Sequence, residues 1–173
     1  MQRIKTLCLT LFFGLLTIGA LQAQRIAIVD IDEVLESMDE YQQAQQELDR
    51  IAAEWRQEIQ KEYDKIRSMY NKYQAEQVLL SDQARADRED EIMEMEQQVR
   101  ELQKQRFGPE GGLFQKRQDL IRPIQDQVFG AIQQYAEDRG YDFIFDKGGS
   151  SGLIFSNEEY DKTDDIKRKL GVN

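Results

Sequence analysis

The sequence has no histidine, one cysteine and two prolines among 173 residues. Without imidazole, Ser–His catalysis and histidine metal centres are excluded. The cysteine, Cys8, sits in an apolar N-terminal run, so the chain beyond that run has neither disulfides nor thiol chemistry. Positive charge is also short: 23 basic side chains face 33 acidic ones, a formal net charge of −10. Phosphate backbones repel such a chain, so no nucleic-acid partner is expected. The prolines are Pro109 and Pro123, and residues 40–106 hold neither proline nor glycine. Nothing in that stretch interrupts a helix.

The only long apolar run is at the start. Arg3 and Lys5 precede Leu7 to Ile18, which is too short to span a bilayer comfortably. Leu21-Gln22-Ala23 ends on a small residue. The pattern predicts a signal peptide over residues 1–23, cleaved after Ala23. Cys8 lies far from that point and is badly placed for lipidation. Losing Arg3 and Lys5 takes the net charge from −10 to −12. An exported chain without disulfides must be held by packing alone. Residues 24–173 are long enough for one domain.

What the sequence does have is a stripe. From Tyr41 it reads Ala44, Leu48, Ile51, Trp55, Ile59, Tyr63, Ile66, Tyr70, Tyr73, in steps of three or four residues. That spacing marks one helix face, with a stutter around Ile59. A second stripe runs Ile92, Met95, Val99, Leu102. Between them lies Val78-Leu79-Leu80-Ser81-Asp82, where Ser81 is suited to cap a new helix. The pattern predicts an antiparallel helical hairpin over residues 40–106, turning near 78–83, with arms of about 40 Å or more. So narrow a stripe buries little area, so each arm depends on its partner or on another chain.

The ends read differently. Arg25 to Ile31 is a β-branched run, a strand buried on both faces. Asp32 is the expected cap of a short helix to Ser37. Phe107-Gly108-Pro109-Glu110-Gly111-Gly112 breaks the arm. It lacks the Lys-Ser/Thr of a phosphate loop, so it reads as the joint between arm and body. Leu113, Arg117, Leu120, Ile124, Val128, Ile132 and Tyr135 resume helical spacing, with Pro123 kinking that helix or starting another, and Gly140 closing it. Tyr141 to Phe145 and Leu153 to Phe155 read as two strands of a hairpin, and Thr163 as the cap of a last helix to Leu170. The fold class is α+β, mostly α: a small sheet body (24–39 and 107–173) carrying a long coiled-coil hairpin.

Asp30-Ile31-Asp32 after an apolar strand looks like the nucleophile motif of haloacid-dehalogenase-type phosphatases. That fold needs further strand–helix units where this chain offers a helical hairpin. A strand end followed by a helix cap is the stronger reading, and neither catalytic residue, metal nor cofactor is expected. A structural coiled-coil spacer or adaptor without a client is the other alternative.

Strands at both ends of the chain must meet to close the body. Its sheet edges stay open, which favours joining sheets between copies. Ile26, Ile28, Tyr141, Phe143, Phe145, Leu153 and Phe155 are the candidate oligomer residues.

In this order the features resemble the Skp/OmpH periplasmic chaperones of Gram-negative bacteria. The carriers are Arg25-Ile26-Ala27-Ile28-Val29-Asp30 after a signal peptide, Leu79-Leu80-Ser81-Asp82 near the tip, and Ile124 to Phe145 ending Gly140-Tyr141-Asp142-Phe143-Ile144-Phe145-Asp146. The resemblance covers the whole mature chain. It implies a homotrimer with a β-rich body and three helical tentacles. It further implies that the cavity between them holds unfolded outer-membrane β-barrel proteins without ATP. The chain departs from the family's basic members in charge: residues 40–106 carry sixteen acidic and eleven basic side chains. That balance argues against direct membrane or lipopolysaccharide contact. Loose holding then leans on apolar and aromatic groups, for which the candidates are Met69, Tyr70, Tyr73, Val78, Leu79, Leu80, Ile92 and Met93.

Overall fold

The computed structural model describes residues 24–149 and 152–172. The expected signal peptide lies outside them. Strand β1, Ile26–Val29, leads into helix α1, Ile31–Glu36. Helix α2, Asp39–Glu76, runs without a break to the far end of the molecule. A single 3-10 turn, Gln77–Leu79, reverses the chain into α3, Asp82–Phe107. Helix α4, Gly112–Arg139, β2, Phe143–Asp146, and α5, Thr163–Leu170, complete the order.

The arm forms where the stripe places it. Ser81 Oγ accepts from Ala84 N–H at 3.3 Å, satisfying one of the donors left free at the start of α3. Lys104 and Arg106 close that helix at the end that favours cations. Arg106–Glu58, Tyr63–Gln103 and Tyr73–Glu89 contacts show α2 and α3 running antiparallel. Ile59, Ile66, Ile92 and Val99 are buried along the seam. Each contributes on the order of 1.5–3 kcal/mol by leaving water. Towards the body the seam shifts by one position: Ala52 is buried, whereas Ile51 is only partly so.

The body has its own core, centred on Val29, Val34, Leu35, Val128 and Ile166. β1 and β2 pair in parallel, Ile26 opposite Phe143 through Val29 opposite Asp146. The whole helical hairpin is therefore an insertion between two paired strands. Gly140, at φ 65°, ends α4 in the left-handed conformation that glycine adopts without strain, and turns the chain into β2.

Several local expectations are corrected. Strand β1 stops at Val29 because Asp30, not Asp32, caps α1: Asp30 Oδ1 accepts from Glu33 N–H at 3.0 Å. Pro123 lies inside α4, so of the two expectations for it the start of a new helix is overturned. Leu153 to Phe155 form no strand, and the sheet of the described residues is two-stranded. After β2 the chain crosses to the opposite edge of β1, where Asp161 bridges Ile28 and Lys162 N–H donates to the Ile28 carbonyl at 2.8 Å. The hairpin expected on β2 gives way to that crossing, and the outer edge of β2 stays open among the described residues. Thr163 is the first residue of α5 rather than its cap. The capping acceptor is Asp161, whose Oδ1 takes the Thr163 N–H at 2.9 Å and the Thr163 hydroxyl at 2.6 Å.

Candidate functional site

Two surfaces carry the residues singled out from the sequence. The first is the tip of the arm. Val78 and Leu79 stand 85% and 84% exposed on the reversing turn. Tyr70 and Met93 are also exposed, one on each arm. Met69, Tyr73 and Ile92 face inward: Ile92 is buried in the seam, and Met69 and Tyr73 pack against it. Leu80 is partly buried. Together Met69, Tyr73, Leu80 and Ile92 line a groove of about 160 Å³ between the arms, with Lys72, Glu76, Arg88 and Glu91 around it. The Tyr73 hydroxyl donates to Glu89, which raises its pKa above the ordinary tyrosine value. Of the eight candidates, four therefore face solvent, and the rest line the groove.

The second surface is the sheet. Phe143 N–H donates to the carbonyl of Arg25, just before β1, and Lys147 N–H to that of Val29. By alternation the backbone of Ile144 points to the outer edge of β2, which no strand among the described residues covers. Side chains alternate too. Ile144 packs into the core, whereas Phe143 and Phe145 stack on each other at 6.3 Å on the opposite face, 50% and 40% exposed. Ile26, beside Phe143 in register, is also exposed, while Ile28 is buried. Leu153 and Phe155 are exposed, and Tyr141 is partly buried, stacked on Tyr135 at 5.7 Å. Ile154, at 99% exposed, belongs to the same segment and was not singled out, although its apolar run was visible. Phe114 and Phe129 on α4 were missed because they fall outside the apolar stripe of that helix.

The arm joins the body through an aromatic joint. The Trp55 indole meets Phe107 edge to face at 6.2 Å, and the Arg106 guanidinium lies 4.6 Å from the indole centroid. Arg106 also reaches Glu58 at 3.2 Å, while its Nε is buried without an acceptor. Gly108, Pro109 and Gly111 form the turn beside this joint.

Asp30 and Asp32 both lie at the start of α1. Asp30 caps α1, and its backbone N–H donates to Thr163 Oγ1 at 2.9 Å. Asp32 sits in the first turn of α1, where its charge suits the helix dipole. Asp161 is held below the ordinary carboxylate range: burial opposes its charge, but hydrogen bonds from Thr163 and Lys147 outweigh that cost. No group of three His, Cys, Asp or Glu among the described residues is arranged to hold a metal ion, and no helix among them is long and apolar enough to cross a membrane.

Residues 25–170 match the model of a family described as outer membrane protein (OmpH-like). No curated protein matches the chain.

Proposed function

The chain belongs to the OmpH-like family, and from that membership we propose that it is an ATP-independent holdase of the periplasm. It is exported by its first 23 residues and binds unfolded outer-membrane β-barrel proteins. Three copies associate through the body, with the open β2 edge and the Phe143–Phe145 face turned towards neighbouring chains. The arms then stand side by side around a shared space.

The observation that carries the reading is the split of apolar groups along the arm. Ile59, Ile66, Ile92 and Val99 are spent on holding α2 to α3, whereas Val78, Leu79, Tyr70 and Met93 remain in solvent at the far end. An unfolded β-barrel strand alternates apolar and polar residues and has unpaired backbone. Many weak, adaptable contacts hold such a chain without fixing its shape.

The test is direct. An outer-membrane β-barrel protein diluted from urea aggregates, and the light scattering is followed with and without this protein. Suppression at a modest molar excess supports the holdase; unchanged scattering at high excess leaves only a structural role.

A further inference from the structure

We infer that the arm's tip docks unfolded polypeptide segments in which apolar residues alternate with lysine or arginine. This rests on the client-holding reading and specifies what is held at one place.

The charge of the arm is not evenly spread. Residues 40–106 carry a net charge of −5, and residues 76–94 alone, with seven acidic side chains and two arginines, account for all of it. The two shafts are together neutral. Both tip arginines are already committed, Arg85 to Asp82 at 2.7 Å and Arg88 to Glu91 at 2.6 Å. Glu76, Asp87, Glu89, Asp90 and Glu94 form no ion pair with a cation among the described residues. Three of them accept only from neutral donors, Gln83, Tyr73 and Gln98, which leaves their charge uncancelled.

These carboxylates share the tip with the exposed Val78, Leu79 and Met93 and with the groove floored by Met69, Tyr73, Leu80 and Ile92. The groove's own rim is balanced, Glu76 and Glu91 against Lys72 and Arg88. The excess negative charge lies beside it on α3. An occupant needs apolar groups for the groove and cations for its flank. An extended chain places alternate side chains about 6.6 Å apart on one face. Its lysines and arginines reach sideways on long apolar stems. Exposed carboxylates act over about 10 Å at 0.1 M salt, so the whole flank contributes. A bilayer with anionic lipid would meet the same apolar turn but be repelled by the flank.

The experiment uses three labelled peptides with one apolar pattern, their polar positions being all Lys, all Ser or all Glu, and follows binding to the full protein by fluorescence anisotropy. The Lys peptide is expected to bind about tenfold more tightly than the Glu peptide at low salt, the worth of a few exposed ion pairs. The gap should close at high salt. In the Asp87→Asn, Asp90→Asn, Glu94→Gln variant the Lys peptide should fall to the level of the Ser peptide, while Leu79→Ser weakens all three. Equal affinities, a preference that survives neutralisation of the tip, or binding to anionic vesicles in place of peptides would each overturn the inference. Suppressed aggregation without charge preference removes this inference alone. Charge-selective peptide binding without suppression retains the docking site and removes the holdase reading.

Discussion

Gly112 lies against the Trp55 ring so closely that a Cβ there would sit 2.9 Å from Cη2. The first residue of α4 thus forms part of the seat for the indole, and the seat is at the root of the arm. Gly112→Ala should force the ring aside and cost about 1–3 kcal/mol, the usual range for overpacking. Trp55 is the only tryptophan, so its emission reports the change without a label. Urea unfolding followed by that emission checks both parts. An unchanged midpoint and an unchanged spectrum would mean that the joint yields freely.

Phe143 is half exposed and stacked on Phe145, on the face of the sheet turned away from the core. On the proposed association through this face, Phe143→Asp should leave each chain folded and dissociate the assembly, because a charge would replace an apolar contact between copies. Light scattering after size exclusion should give a mass of about three chains before the substitution and one after it. Circular dichroism should stay unchanged. A wild-type protein that runs as a single chain would remove the shared cavity altogether.

The arm was legible because periodicity over many turns is a redundant signal: three misplaced stripe positions, Ile51 beside the buried Ala52 and the exposed Tyr63 and Tyr70, leave the helix and its partner face intact. Ser81 and Gly140 were legible because capping chemistry is local. Thr163 was misread for the opposite reason. Besides the nearby Asp161, its hydroxyl meets the Asp30 N–H, far away in the chain, and no rule of neighbours anticipates that second bond. Leu153 to Phe155 have the composition of a strand, but composition does not say which edge remains free once Asp161 has reached Ile28. At the tip the seam continues through Met69, in place of the stripe's Tyr70, and through Tyr73 and Ile92. Periodicity did not tell these seam residues from Leu79, because the turn carries the chain out of helical register.

Asp161, Thr163 and Asp30 form one hydrogen-bonded node that holds α5 to the end of β1. Thr163 is buried, so Thr163→Val keeps the shape but leaves the Asp30 N–H without its acceptor. A loss of about 1–3 kcal/mol is expected from urea unfolding. The node is also sensitive to acid. The pKa of Asp161 is lowered in the folded state, so its stabilisation is complete above the unfolded value of about 4. It is lost as pH falls through the lower folded value. Asp161→Asn should therefore flatten the fall in stability below about pH 4. If the acid limb is as steep in the variant as in the wild type, other carboxylates carry it.

Leu79 and Leu80 are adjacent but not equivalent. Leu79 is 84% exposed, whereas Leu80 is partly buried and lines the groove with Ile92. Leu79→Ser removes no packing, so the unfolding midpoint should stay within about 0.5 kcal/mol of wild type. Leu80→Ser gives up part of a buried side chain and should cost about 1 kcal/mol. The double variant should keep its helical circular dichroism, because α2 and α3 are joined by Ile59, Ile66, Ile92 and Val99 further down the arm. Its protection of an unfolded β-barrel protein should nevertheless weaken, with most of the loss already present in Leu79→Ser. If helicity collapses in the double variant, the turn is a structural clasp. If folding and protection both survive, the client is held along the shafts and the exposed tip is not where it binds.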